Sequence, residues 1–214
     1  MARMRELMSN LAHLVSRFWL LPLYFLSGLA RRQEDLWVFG SWGGYRYADN
    51  AAAFFEYCNE RVGDRVELVW VSRRRSIVHS LRERGYRAHW VWSPGGISAC
   101  LRAGVALFDC FSKDINFWLL RGATHVNLWS GVPLKAIERD IDNPRSRYFR
   151  LFHGMAVERA FLAAMMPWHV VKPDLIIAMS EETARITERA FAIPESRVVV
   201  TGFPRNDVLL RPPG

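Results

Sequence analysis

The chain has 214 residues, half of them apolar, with 23% charged and a formal net charge of +8. That length and apolar share exclude a disordered or fibrous polypeptide and fit one α/β domain, or one lobe of a larger enzyme. Only three of the 29 basic residues are lysines (Lys113, Lys135 and Lys172); an arginine excess suits phosphate or carboxylate partners, which the planar guanidinium binds bidentately, or else reflects a compositional bias.

Residues 1–32 stand apart from the rest. Thirteen uncharged residues from Phe18 to Ala30 are interrupted by Pro22, preceded by Arg3, Arg5 and Arg17 and followed by Arg31 and Arg32. As helix they reach about 20 Å, short of the ~30 Å hydrocarbon core of a bilayer. Basic flanks with Trp19 and Tyr24 suit an apolar, amphipathic helix lying on an anionic membrane surface. A single span and a cleaved signal peptide are the rival readings. Cys58, Cys100 and Cys110 lack CxxC spacing and fall in apolar or helical contexts, which predicts buried free thiols in a reducing compartment and argues against secretion.

After Arg32, short apolar runs alternate with amphipathic stretches. Strands are predicted at 36–40, 66–71, 88–92, 105–110, 125–129, 175–180 and 197–202, and helices near 50–62, 73–85, 95–103, 145–166 and 181–191. Asn50 is the expected cap of the first of these helices and Ser180 of the last, where Glu181 and Glu182 favour the first turn. The tryptophans Trp37, Trp70, Trp90, Trp92 and Trp129 lie on strands and read as core. Several strands are almost continuously apolar, as in a parallel sheet covered on both faces. The pattern predicts a Rossmann-like, doubly wound, mostly parallel α/β sheet.

In such sheets ligands bind beyond the carboxyl ends of the strands. Three loops there are chemically loaded: GSWGGYRYADN (40–50), SGVPLKAIERDIDNP (130–144) and GFPRND (202–207). None is a dinucleotide fingerprint or a Walker A loop. GSWGG either offers backbone N–H groups to a phosphate or is simply a turn. The six histidines are scattered without metal-ligand spacing, so neither a metal nor a cofactor is expected.

Together these loops resemble the CDP-glycerol glycerophosphotransferase family, the teichoic acid primases and polymerases. Phe39-Gly40-Ser41-Trp42 with Asp49-Asn50 matches one family motif, Trp129 to Lys135 followed by Asp140 a second, and Gly202 to Asp207 a third. The resemblance covers about residues 36 to 210. It implies the amino-terminal, acceptor-side lobe of a GT-B glycosyltransferase-like fold, over 33–214 and ending at the inter-lobe linker, preceded by the 1–32 leader. It also implies transfer of glycerol phosphate, or a related polyol phosphate, from a CDP-activated donor to a membrane-linked polymer acceptor, with release of CMP. The setting would be cell-wall teichoic acid or capsule-type polymer synthesis, peripherally at the cytoplasmic face of the membrane, with a second lobe supplying most of the nucleotide site.

By the same resemblance Ser130, Lys135 and Asp140 hold catalytic positions. Ser41, Trp42, Gly131, Pro133, Arg205, Asn206 and Asp207 hold substrate-binding ones. Ser130 stands where the family carries a histidine, the general base that would take the acceptor's hydroxyl proton. Imidazole titrates near neutral pH, whereas a serine hydroxyl needs a neighbouring base. His125 and His153 are possible substitutes; Asp140 and Asp142 are better placed. Lys135 would stabilise phosphate charge, or is a solvated loop lysine. Asn206 and Asp207 would cap the next segment, and the arginines of 145–166 (Arg145, Arg147, Arg150 and Arg159) would face anionic lipid or polymer, or solvent.

Three functions therefore compete: an active transferase, a non-catalytic membrane-associated scaffold, and a nucleic-acid binder. The last has only the net charge behind it, with no RRM, KH or helix-turn-helix pattern, so no nucleic-acid partner is expected.

Overall fold

The computed structural model describes residues 19–210. The leader reading for residues 1–18 lies outside the described residues. Residues 19–27 are helical. Among the described residues no helix is long and apolar enough to cross a membrane.

Seven strands form one sheet: β1 (Gln33–Gly40), β2 (Glu67–Ser72), β3 (Ala88–Trp90), β4 (Ala103–Phe108), β5 (Thr124–Asn127), β6 (Leu175–Ala178) and β7 (Val198–Val200). Their order is β3-β2-β1-β4-β5-β6-β7, and every neighbouring pair is parallel. The chain runs outward from β1 to one edge, returns to the centre at β4, and proceeds to the other edge. The carboxyl ends of β1 and β4 thus flank the point where strand order reverses, which opens a crevice in sheets of this kind.

Helices α1 (19–27), α2 (Asp49–Arg61), α3 (Arg75–Glu83), α4 (Pro94–Arg102), α5 (Arg147–His153), α6 (Ala156–Met165) and α7 (Glu181–Phe191) connect or flank the strands. One sheet face packs Phe39, Trp70, Leu107 and Ile177 against Phe55 of α2 and Leu81 of α3. The other packs Val38, Val69, Ala106 and Phe108 against α4 and the turns at 115–120. Alternate residues of one strand serve the two cores, as a period of two demands. Over β5 and β6 the first face is less covered. There Val126, Leu128, Leu175 and Ile177 floor a cleft of about 450 Å³, walled by α2 and residues 201–208.

Local chemistry explains most element ends. The Ser93 hydroxyl accepts from the Gly96 N–H with Pro94 opening α4, and Ser180 with Thr183 forms a reciprocal capping box on α7. Asn50 does not cap α2: Ala48 holds that position and Asn50 lies inside the first turn, turned to other work. The expected helix over 145–166 is two helices parted at Gly154, where a β-carbon would meet the Arg150 carbonyl oxygen at 2.5 Å. Trp70 is fully buried, while Trp37, Trp90, Trp92 and Trp129 pack against the core half-exposed. All three cysteines are free, Cys58 and Cys100 buried and Cys110 half-buried. Burial pushes each thiol up to about 12, which keeps the reactive thiolate scarce.

Candidate functional site

The loop leaving β1 begins at Gly40, where any β-carbon would sit 2.5 Å from the Asp114 carbonyl oxygen. Glycine is therefore dictated by close backbone approach. Trp42–Gly44 then form a 3₁₀ turn whose two glycine N–H groups are already committed. Gly43 donates to Asp114 Oδ1 at 2.8 Å, Gly44 to the Ser41 carbonyl, and Tyr45 to the Trp42 carbonyl. The glycine N–H groups of GSWGG are thus spent on the protein's own acceptors, which suits the turn reading of this loop. Asp114 takes the Cys110 N–H with its other oxygen, and burial raises its pKa against these favourable bonds.

The amino terminus of α2 is similarly occupied. Ala51 donates its N–H to Asp109 Oδ1 at 2.8 Å, and Asp109 sits at the carboxyl end of β4, fully buried. Burial pushes the Asp109 carboxyl up to about 8. Its Oδ2 has no hydrogen-bond partner. The neighbouring Ser41 hydroxyl donates its one proton to the Ala48 carbonyl oxygen at 3.1 Å, so the hydroxyl oxygen is open only to an acid that carries its own proton. Asp109 is thus a buried acid whose carboxyl is held well above the usual carboxylate range, closing the end of α2.

Asp49 and Asn50 tie the three loops into one knot. Asn50 is fully buried and donates to the carbonyl oxygens of Leu128 (3.0 Å) and Trp129 (2.7 Å), while its Oδ1 accepts from the backbone N–H of Arg205 at 3.3 Å. Arg205 Nη1 donates to Asp49 Oδ1 at 2.5 Å and to the Ser130 carbonyl oxygen at 2.8 Å. The Trp42 indole N–H donates to the second oxygen of Asp49 at 3.2 Å. Trp42, Asp49 and Trp129 all have left-handed backbone (φ 48°, 66° and 49°). For non-glycine residues that conformation costs of order 1–3 kcal/mol each and persists only where the surroundings impose it.

Beyond this knot the loop opens outward. Gly131 lies against Arg205, a methyl there falling 3.5 Å from Nη2. Pro133 is half-buried, and Leu134 and Lys135 are exposed, Lys135 without an ion pair among the described residues. The Ser130 hydroxyl receives a bond from the Cys110 thiol at 3.6 Å, a weak neutral donor in place of a base. Asp140 is bound by Arg189 of α7 at 2.8 Å, with its side chain one-fifth exposed. Buried Glu138 meets His169 at 3.1 Å, pinning the loop's far end.

The histidines near the loop are engaged elsewhere. His125 is buried, with Nε2 3.2 Å from the Leu120 carbonyl oxygen, and desolvation lowers its pKa; His153 Nε2 lies 2.8 Å from the Arg139 carbonyl oxygen. Neither contacts Ser130. Asn206 lies in the turn Pro204–Leu210 against Met179, and Asp207 is exposed.

Of the residues singled out in the sequence, the structure gathers Ser41, Trp42, Ser130, Gly131 and Arg205 around Asp49 and Asn50. Lys135 is left on the open loop, and Asp140 and Asn206 stand beside other elements. Asp109 escaped the sequence reading. Its signal was a carboxylate ending an apolar strand, where a buried charge has to be neutralised or paired. Among the described residues no three histidine, cysteine or acidic side chains gather as a metal-ligand set.

Comparison with known proteins gives this geometry its relatives. The family profile described as CDP-glycerol:poly(glycerophosphate) glycerophosphotransferase matches residues 23–213. A teichoic acid poly(glycerol phosphate) polymerase of Bacillus spizizenii is 26% identical over 200 residues, covering 87% of this chain and 45% of the relative. A teichoic acid glycerol-phosphate transferase of Staphylococcus aureus is 25% identical over 178 residues, covering 82% of this chain and 42% of the relative. Among solved structures, the wall teichoic acid polymerase TagF superposes with a TM-score of 0.62 at 19% identity, covering 97% of this chain and 49% of that one. A histidine-to-asparagine variant of TagF soaked with CDPG gives 0.64 at 19% identity, covering 97% of this chain and 49% of that one. These superpositions support the Rossmann-like, GT-B-type lobe. The chain spans less than half the length of these relatives.

Proposed function

The chain belongs to the CDP-glycerol:poly(glycerophosphate) glycerophosphotransferase family, and on that premise we propose that residues 33–214 form the acceptor-side lobe of a polyol-phosphate transferase. The donor is CDP-glycerol or a related CDP-polyol, and the acceptor a lipid-linked polymer. An acceptor hydroxyl oxygen attacks the β-phosphorus, the bond to CMP breaks, CMP leaves with the electron pair, and the hydroxyl proton passes to a base. The nucleotide side of the cleft comes from a second lobe, in the same polypeptide or a separate one. One observation carries this reading: three loops far apart in sequence meet at a hydrogen-bonded knot beside the sheet's switch point. Beyond the knot, Lys135 and the unbonded side of Arg205 offer positive charge to phosphate, and phosphoryl transfer gains mainly from positioning and electrostatics. The lobe works peripherally at the cytoplasmic face of the membrane, consistent with the exposed Trp19, Phe25, Leu26 and Leu29 in and just after α1.

A second reading has an observation of its own. Ser130 stands at the family's histidine position with only a thiol beside it, and the nearby histidines are bonded to backbone carbonyls. That favours a membrane-associated lobe that binds acceptor or a partner transferase without catalysing transfer. The test is CMP release from CDP-glycerol with a lipid-linked acceptor and a nucleotide-binding second lobe supplied, for wild type and Ser130→His. Turnover in wild type supports the transferase. Turnover confined to Ser130→His supports the scaffold with a decayed site, and turnover in neither counts against the transferase reading.

A further inference from the structure

A basic strip runs from the knot toward the β3 edge along the carboxyl end of the sheet. The 3₁₀ turn after β1 is stitched to the end of β2: Arg73 donates its backbone N–H to the Gly44 carbonyl oxygen at 2.7 Å and its Nε to the Gly43 carbonyl oxygen at 2.9 Å. The Ser72 hydroxyl donates to Gly44 as well. This joint ties the loop that carries the exposed Arg46 to the end of β2, where the exposed Arg74 and Arg75 follow Arg73. Two of them rest on indoles, Arg46 5.4 Å from the Trp42 ring centre and Arg75 5.0 Å from that of Trp90. Trp42 is in turn anchored to Asp49, so the strip continues into the knot.

The exposed arginines of the strip carry no counter-charge of their own. Arg84, Arg87, Arg150, Arg185, Arg189 and Arg205 each hold a carboxylate. Among the described residues Arg46, Arg73, Arg74 and Arg75 hold none. Such clustered cations repel one another, and resting on an aromatic face fixes a guanidinium while leaving its N–H edge free for a bidentate oxyanion.

We infer that this strip is the landing surface for a linear phosphodiester polyanion, the body of the polymer whose end reaches the knot. The inference rests on the transferase or acceptor-binding reading for the polymer's identity, though not on turnover. Three features select this partner. Successive cations along a rim suit a chain of regularly spaced phosphates. On Trp42 and Trp90 a guanidinium already rests over the indole, which competes with the stacking of nucleic-acid bases there. The strip also exposes no aliphatic side chain to enter a lipid layer; exposed leucines, valines and methionines lie elsewhere, at 26–29, 132–134 and 155–157 among other places.

The test is titration of the full chain with synthetic oligo(glycerol phosphate), read by tryptophan fluorescence at several salt concentrations. Binding is expected to weaken linearly in log–log form with salt. The slope should fall by about one for each phosphate-binding arginine removed, as in counterion release elsewhere. The double variant Arg74→Gln/Arg75→Gln and the single variant Arg46→Gln should each weaken binding about tenfold or more at low salt, the double variant more than the single. Arg185→Gln, on the remote face of α7, should bind as wild type. Because these side chains are exposed, unchanged melting temperatures will certify folding, and Arg46→Lys, which keeps the charge but loses the fork, should fall between wild type and Arg46→Gln. Equal binding by wild type and the double variant overturns the inference. So does tighter, arginine-dependent binding of single-stranded DNA or of anionic-lipid vesicles than of the oligomer. Oligomer binding without CMP release leaves the strip standing and removes the transferase; CMP release without arginine-dependent binding does the reverse.

Discussion

Arg205 shows how one side chain can be both frame and tool. Its Nη1 holds Asp49 and the Ser130 carbonyl, while Nη2 stays beside Gly131. Methionine approximates the stem but carries no donor and no charge. Arg205→Met should therefore free residues 130–137, seen as faster proteolysis within that loop at nearly unchanged secondary structure. Asp109 makes a pH prediction. Its folded pKa, near 8, lies above the ordinary value of 3.8, so the folded state holds a proton that the unfolded state has lost. That stabilisation is complete below about pH 4 and drains away as pH rises through about 8, at no more than roughly 1.4 kcal/mol per pH unit. Asn mimics the protonated acid. Asp109→Asn should remove this slope, so that its melting temperature gains on wild type steadily between pH 5 and pH 8. A constant difference across that range would show that Asp109 is not carrying the proton.

At the scale of elements, the first turn of α2 organises the site, and Asn50 is its centre. Asn50→Ala leaves the Leu128 and Trp129 carbonyls without their donor, and orphaned buried polar groups cost about 1–3 kcal/mol each. A loss of about 2–3 kcal/mol on chemical denaturation is expected, with a change in Trp129 fluorescence. This role was only half legible. The sequence places Asn50 at a helix start, and asparagine at such a point reads first as a cap. Only the folded chain brings the β5 loop within its reach. The strands, by contrast, were legible because both-face burial writes continuous apolar runs such as LVWV and LIIA. The α5–α6 break was missed because Gly154 sits within one amphipathic pattern, where a glycine alone only weakens a helix. Asp109 stayed silent because an acid at the end of VALF looks like an ordinary solvated strand end until its burial is known.

At the scale of the molecule, two charge arrangements meet on one rim. The knot neutralises itself, with Arg205 against Asp49, whereas the strip beside it leaves its exposed arginines uncompensated. The site thus presents a tight, nearly neutral frame flanked by open positive surface on one side and by Lys135 on the other. Raised salt should therefore weaken anion binding well before it disturbs the fold, because exposed charges are screened within about 8–10 Å while buried pairs are screened far less. Melting temperatures measured between low and high salt should move little across the range in which oligomer binding is lost.

The bond between Arg205 and Asp49 spans 156 positions in sequence. During synthesis the β1 and β2 segments emerge long before residue 205 does, and loops of that length close slowly compared with local pairing. The left-handed Asp49 lacks its Arg205 partner until that closure is made. A nascent chain therefore carries most of its sheet while its functional rim is still unlatched, and the late-translated residues 202–207 serve as the catch. Any step that delays their arrival leaves a folded body with an unfinished site.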